Sequence, residues 1–124
     1  MTSRLLLLIL LSVSLSGIAQ VSFKIGVSTH EIRAAMASGD VSSLVLAFLL
    51  SPAVLAGLAM YGIGTLIWLS VLARMDLSLA YPFVGLSFLL TAILGYFLFH
   101  EAFHAGRILG TALVMAGVVL VARS

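Results

Sequence analysis

The first apolar stretch, Leu5–Gly26, carries a row of polar side chains at helical spacing. In a helix, side chains four residues apart lie on the same side. Ser12, Ser16, Gln20 and Lys24 have this spacing. One helix face would therefore carry two hydroxyls, an amide and an ammonium group. Polar groups within a membrane span typically face protein or water, because placing them in lipid is costly. The pattern therefore predicts that this face lines a transport path and binds a polar or anionic ligand.

Each candidate binding residue also has a structural interpretation, and the residues alone leave both open. Lys24 ends its stretch, so it either extends its ammonium group to the membrane surface or holds a phosphate or carboxylate. Gln20 lies one turn deeper, where its amide needs a partner across the bundle or a polar ligand. For Ser12 and Ser16 we expect a bond to the carbonyl four residues earlier. Tyr81 is either a residue of the interfacial aromatic belt or a contact to a lipid head group.

One short motif suggests metal chemistry. The segment His100–His104 reads HEAFH and matches the H-E-x-x-H pattern of zinc proteases. That pattern binds zinc when it lies on a helix, where both histidines share a face. Here it falls in a brief polar turn between two apolar stretches, and no third ligand is near in sequence. We therefore predict no metal site, no cofactor and no enzyme active site.

The composition is that of a membrane protein. Of the 124 residues, 63% are hydrophobic and 8% are charged, and the mean hydropathy is +1.31. A soluble domain has about 45–50% apolar and about 25% charged residues. The net charge of +2 comes from scattered basic residues, which form no nucleic-acid-binding patch. There is no cysteine, so disulfides and thiolate metal sites are excluded.

Three uncharged stretches are long enough to cross a bilayer. The fourth, Ile108–Ala122, would be about 22 Å long as a helix, so Arg107 and Arg123 are expected to extend towards opposite membrane surfaces. The first, Leu5–Phe23, would extend about 28 Å as a helix, close to the ~30 Å hydrocarbon core. The uncharged run from Val41 to Ala73 would be about 50 Å long as one helix. The pair Ser51-Pro52 supplies a break, because the residue before proline is pushed out of helical geometry.

The sequence thus predicts an all-α membrane protein with one domain, a four-helix antiparallel bundle. Its spans are expected at residues 5–26, 52–73, 77–99 and 105–122. Shorter helices are expected at Glu31–Ala37 and at residues 41–50, the second of them at the membrane interface. The first stretch also resembles a secretory signal with small residues at Gly17 and Ala19. We favour a retained span, because equally apolar segments follow it.

Glycines indicate where helices meet. Gly57 and Gly64 lie seven residues apart on the second span, and this spacing favours close approach of two backbones. The fourth span carries a similar series, at Gly106, Gly110 and Gly117. This series either packs within the bundle or forms a dimer interface, and about 124 residues give too few helices to enclose a path alone. We therefore predict a homodimer or a heterodimer with a similar four-helix chain.

The orientation in the membrane is weakly specified by charge. Three basic residues lie on each side of the predicted bundle, so the positive-inside rule gives a tie. If Lys24 lies too deep to count as a loop residue, the balance becomes three to two in favour of cytoplasmic termini. Dual insertion remains open.

The chain resembles a known group of transporters. Arg74–Ala122 resembles the last two helices of an EamA-type repeat in the drug/metabolite transporter superfamily, through the A-Y-P at Ala80–Pro82, the acidic Glu101 and the glycine-rich last helix. With the A-Q-x-x-x-K at Ala19–Lys24, the whole chain is similar to the small four-helix subunits that flip aminoarabinose–undecaprenyl phosphate.

That resemblance implies a transporter or flippase subunit in the bacterial inner membrane, which moves a polar or lipid-linked anionic metabolite. It implies membrane lipid as a partner and no nucleic acid. The substrate-binding residues expected from the residues and the resemblance together are Ser16, Gln20, Lys24, Tyr81 and Glu101.

Two alternatives come from other functional classes. In the small multidrug resistance exporters, which resemble the chain less, a membrane glutamate would align with Ser16 and a tryptophan with Val84. Without that carboxyl group there is no residue at this position to exchange a proton for a cationic drug. The other alternative is a non-transporting subunit that stabilises a larger membrane complex.

Overall fold

Four long apolar helical stretches dominate the structure, a computed structural model that describes residues 3–124. They are α1 (Ser3–Val27), α4 (Pro52–Leu72), the stretch Leu77–Phe99 and α7 (Ala105–Arg123). Each has the length and composition to cross a membrane. The described range contains no strand. The prediction of an all-α protein with four membrane helices is therefore confirmed.

Shorter helices complete the chain. Between α1 and α4 lie α2 (His30–Ser38) and α3 (Val41–Leu50). The third span consists of α5 (Leu77–Ala80), a 3₁₀ segment (Tyr81–Gly85) and α6 (Leu86–Phe99). Because successive spans run in opposite directions, α1 and the third span run parallel to each other.

The helices α1 and α4 lie close together because small residues line their contact. A Cβ atom at Gly57 would lie 2.7 Å from the Phe23 ring and 3.1 Å from the carbonyl oxygen of Ala19. A Cβ at Gly64 would lie 3.4 Å from the carbonyl oxygen of Ser12. These two glycines therefore serve packing within the protomer, where they bring the two backbones together.

The third span is interrupted near its start. The sequence predicted one continuous helix from residue 77, with Pro82 tolerated near its beginning. Pro82 lies beyond the first turn, so its missing N–H removes the hydrogen bond to the carbonyl of Ser78. The backbone tightens there into the 3₁₀ segment before α6 begins at Leu86.

The segment between α1 and α4 has its own stop and start signals. Asp40 caps α3, because its carboxylate accepts hydrogen bonds from the Ser43 hydroxyl at 2.9 Å and the Ser42 N–H at 3.2 Å. These bonds, with that of Ser43 the strongest, hold the pKa of Asp40 below its ordinary value. Ser51 is extended (φ −83°, ψ 116°) and caps α4, which begins at Pro52.

Buried apolar side chains cluster at the end of the bundle where α1 begins and α7 ends. The cluster consists of Leu5, Ile9, Val13, Val71, Ala80, Phe83 and Val118. Here α7 packs on the third span at Gly85, where a Cβ atom would lie 3.0 Å from Val114 and from Val118. Only 6% of the most apolar part of α7 is buried, compared with 28% for α1. Most of α7 is therefore available to lipid or to another chain.

Candidate functional site

Three of the candidate binding residues line one groove between α1 and α6. Gln20 and Lys24 on α1 and Glu101, just after α6, line a cavity of about 170 Å³. All three side chains are exposed in the isolated protomer. On the α6 side the groove is lined by Thr91, Gly95 and Phe99, which share one face of that helix. The groove lies at the opposite end of the bundle from the buried apolar cluster.

Glu101 enters this groove because the chain folds back at the end of α6. His100 has a left-handed conformation (φ 54°, ψ 34°), and its N–H donates to the carbonyl of Gly95. The N–H of Glu101 donates to the same carbonyl at 3.2 Å. The Glu101 carboxylate then lies over Gly95, with its Cδ 3.4 Å from the place of a Cβ and Oε1 closer still. A side chain at position 95 would therefore collide with the carboxylate.

Gly95 is thus a site residue that sequence analysis missed. A single glycine in an apolar helix has many possible roles, and only the chain reversal at His100 brings Glu101 back over it. The sequence offered one signal for this contact, because Gly95 and Glu101 lie six residues apart on either side of a helix end. That spacing by itself does not predict a contact.

The groove presents charges of both signs. Lys24 and Glu101 form no ion pair in the part of the chain that the structure describes, so neither charge neutralises the other directly. The Thr91 hydroxyl donates to the carbonyl of Ser87 at 2.7 Å, which leaves its oxygen free to accept a further bond. An ammonium group can hold a phosphate or carboxylate, and a carboxylate accepts N–H and O–H donors.

The other two candidate residues lie in a separate cavity. Ser16 and Tyr81 line a space of about 150 Å³ between α1, α4 and the 3₁₀ segment, together with Tyr61, Trp68 and Val84. The Ser16 hydroxyl donates within its own helix to the carbonyl of Val13 at 3.0 Å, three residues earlier rather than the expected four. The candidates on α1 are therefore divided between two cavities, which begin about 6 Å apart along the helix, at Ser16 and Gln20. Tyr81 also lines a third cavity, of about 550 Å³, between the third span and α7.

Ser12 does not behave as the sequence suggested. We expected its hydroxyl to bond to a carbonyl four residues earlier, and this was wrong. The Ser12 side chain is buried and donates at 2.7 Å to the carbonyl of Gly64 on α4. Residues four apart turn by about 40° around a helix, so the twelve residues from Ser12 to Lys24 turn by about 120°. The polar row therefore begins against α4 and ends in the groove with α6.

The H-E-x-x-H segment is not helical. Residues His100–His104 lie between α6 and α7 without regular structure, so the spacing that places two histidines on one helix face does not apply. Between Ser3 and Ser124, no group of three or more His, Asp or Glu side chains is placed to hold a metal ion. In this segment Arg107 donates to the carbonyl of Ala102 at 3.1 Å.

The glycines of α7 have open space where a side chain would be. At Gly106, Gly110 and Gly117, a Cβ atom would have no heavy atom within 4 Å in the described chain. They differ in this from Gly57 and Gly64, which pack inside the bundle. The predicted dimer interface on α7 remains a prediction.

The fold and the groove together define a class of protein, a small four-helix integral membrane protein with charged groups in a cleft between its spans.

Sequence comparison identifies the family. The chain is 36% identical over 118 residues to the probable 4-amino-4-deoxy-L-arabinose-phosphoundecaprenol flippase subunit ArnE of Pseudomonas fluorescens, which covers 95% of this chain and 96% of the relative. The corresponding protein of Pseudomonas aeruginosa strain UCBPP-PA14 is 35% identical over 117 residues, with 94% and 96% covered. That of Pseudomonas savastanoi is 42% identical over 79 residues, with 64% and 69% covered.

The chain therefore belongs to the family of ArnE flippase subunits. No protein-family model matches it, and no solved structure matches it.

Proposed function

We propose that the protein is a subunit of a flippase in the bacterial inner membrane that moves a polar, undecaprenyl phosphate-linked metabolite. The relatives are named as flippase subunits for 4-amino-4-deoxy-L-arabinose-phosphoundecaprenol, a lipid that joins an amino sugar to a phosphate. The observation that carries the proposal is the position of Lys24 with Gln20 in an open groove of a membrane-spanning bundle. The ammonium group suits the phosphate, and the amide suits hydroxyl groups of the sugar.

The position of the groove suits a lipid-linked substrate. Lys24 lies in the last turn of α1, so the ammonium group of a membrane-spanning α1 can reach the lipid phosphates. Gln20 lies one turn deeper, and Val21 and Phe99 supply apolar walls. A polyprenyl chain can then stay among the lipid acyl chains while the head group occupies the groove. Transport of this kind forms and breaks no covalent bond, and accordingly we assign no catalytic residue.

We further propose that the active unit contains two four-helix chains. A single protomer leaves the groove open and both Gln20 and Lys24 exposed. Beside the contact of Val114 and Val118 with the third span, Gly110 and Gly117 leave open space in which a second helix can approach closely. The partner is either a second copy or a similar four-helix chain. With Lys24 counted as part of the span, the three-to-two balance of basic residues favours cytoplasmic termini.

Substitution of the two α1 residues tests the binding groove. We expect Gln20→Leu and Lys24→Met each to lower the rate of lipid transport at least about tenfold while membrane insertion stays intact. Losing a hydrogen bond to a charged group costs about 1.5–3 kcal/mol, which corresponds to at least about tenfold in rate. The measurement is lipid translocation in proteoliposomes that contain the complete complex.

The matched control is Arg33→Met, which removes a positive charge from exposed α2, outside the groove. This variant should transport the lipid at the rate of the unmodified protein. If Gln20→Leu and Lys24→Met both kept full activity, the groove would not be the substrate-binding site.

The proton-coupled exporter predicts different behaviour. Its expected carboxyl position is occupied by Ser16, and Val84 lines the same cavity, so neither residue can carry a proton. The flippase proposal predicts no resistance to cationic drugs on expression. A drug-dependent proton flux would favour the exporter. The non-transporting subunit predicts a third pattern. Substitutions at Gln20 and Lys24 would leave activity unchanged, whereas a substitution at Gly110 would prevent assembly.

A further inference from the structure

The groove between α1 and α6 holds two opposite charges that are left unpaired. Lys24 and Glu101 come from distant parts of the sequence, line the same cavity of about 170 Å³, and form no ion pair among the described residues. A lysine alone is sufficient to hold a phosphate. The carboxylate weakens binding of a purely anionic ligand, because like charges repel. The presence of both charges therefore indicates a ligand that carries both.

We propose that Glu101 determines head-group specificity, by binding a cationic amine of the substrate while Lys24 binds its phosphate. This inference rests on the proposed function and deepens it. The groove then selects a zwitterionic head group over one that carries only the phosphate. Gln20 and the Thr91 oxygen, which line the groove beside them, supply hydrogen bonds to hydroxyl groups of the sugar between the two charges.

Backbone hydrogen bonds fix the position of the chain at Glu101. The N–H groups of His100 and Glu101 both donate to the carbonyl of Gly95, which fixes the reversal of the chain at the end of α6. The carboxylate lies where a side chain at position 95 would be. Gly95 therefore keeps the position open, and Glu101 reaches the groove from outside the membrane helix.

The size of the cavity also fits a head group rather than a whole lipid. Pockets that enclose a drug-sized molecule have volumes of about 300–1,000 Å³. The groove is smaller and open to the side, so it can hold the polar end of a lipid while the apolar chain stays outside. The charges at its rim then determine which head groups are accepted.

The test compares two substrates that differ only at the amine. Proteoliposomes with the complete complex are supplied with the aminoarabinose-phosphoundecaprenol lipid and with the same lipid acetylated on its amine, which removes the positive charge. We expect the unmodified protein to transport the free-amine lipid about tenfold faster, the effect of one charge-assisted hydrogen bond in an exposed groove. In Glu101→Gln this ratio should fall to about one.

Lys24→Met provides the contrasting result. It should lower transport of both lipids in the same proportion, because both carry the phosphate, so the ratio stays near ten. The control Glu31→Gln removes a carboxylate from α2, outside the groove, and should preserve both the ratio and the rate.

A second variant moves the carboxylate without removing it. Gly95→Ala places a methyl group where Glu101 Oε1 lies, and the flexible side chain can turn away from it. We expect the ratio to fall towards one, although the charge is still present. Gly62→Ala, at a glycine with open space around it, should leave the ratio unchanged.

The outcomes separate this inference from the proposed function. If the unmodified protein transports both lipids equally, or if Glu101→Gln keeps the tenfold ratio, the role of Glu101 is wrong and the flippase function stands. If the unmodified protein transports neither lipid, the proposed function itself fails.

Discussion

Polar residues with the same spacing on α1 have different roles. Ser12 is buried and donates to the carbonyl of Gly64, so it joins α1 to α4. Gln20 and Lys24 remain exposed in the groove with α6, where no bond within the described chain satisfies their side chains. A buried hydroxyl with a partner stabilises the fold, whereas exposed and unpaired groups are available to a ligand.

The structural role of Ser12 gives a prediction about stability. Ser12→Ala removes the hydrogen bond to Gly64, and we expect the free energy of unfolding to fall by about 0.5–1.5 kcal/mol. Chemical unfolding in mixed detergent micelles measures this change. Thr65→Ala is the control, because its exposed hydroxyl donates to Tyr61 within its own helix, and it should change stability by less than about 0.5 kcal/mol. Equal losses in the two variants would contradict the role of the Ser12 bond.

Among the elements, the α1–α4 pair is the tightest part of the bundle. Gly57 meets the Phe23 ring and the carbonyl of Ala19, and Ser22 donates to the carbonyl of Ala53 further along the same contact. The third span is less regular, because Pro82 converts its start into a 3₁₀ segment. The groove therefore lies between α6 and the closely packed α1–α4 pair.

The close approach of α1 and α4 can be tested at one glycine. In Gly57→Ala the new methyl group would lie 2.7 Å from Phe23 and 3.1 Å from a backbone oxygen, which cannot move without α1. We expect a loss of about 1–3 kcal/mol in unfolding free energy, as for overpacked cores. Gly62→Ala, with open space around it on the same helix, is the control and should not destabilise. Unchanged stability of Gly57→Ala would show that the two helices separate easily.

On the scale of the whole molecule, the protomer leaves most of its surface for other contacts. Little of α7 is buried, and a Cβ atom at its glycines would meet no heavy atom within 4 Å in the described chain. The groove between α1 and α6 is also open. A path for a lipid head group needs walls on more sides than four helices provide, and this is the physical reason for our proposal of a two-chain unit.

Assembly is the property to measure at this scale. Gly110→Leu adds a large side chain where the protomer has space, so the protomer should fold normally while the two-chain unit is lost. Native mass spectrometry from mild detergent would report the copy number and any retained lipid. Ala112→Leu adds similar volume on another exposed face of α7 and should leave assembly intact. Normal assembly of Gly110→Leu would place the interface elsewhere.

Much of the fold could be predicted because it depends on local properties of the chain. Hydropathy and length indicate four membrane helices, and a proline after Ser51 coincides with the start of α4. The polar row on the first helix is visible as a spacing of four residues. The composition also excludes disulfides and thiolate metal sites, because the chain contains no cysteine.

The arrangement of the site depended on tertiary structure. The sequence placed Ser16, Gln20 and Lys24 on one helix face and gave Glu101 as a separate candidate. The structure brings Glu101 into the groove of Gln20 and Lys24, while Ser16 lines another cavity with Tyr81. The rotation of α1 between α4 and α6 decides which polar side chain meets which neighbour. The reversal after α6, with Glu101 folded over Gly95, depends on contacts between residues that a local pattern does not relate. Local sequence therefore determined that this chain is a membrane bundle with a polar first helix, and long-range packing decided which charges share a groove.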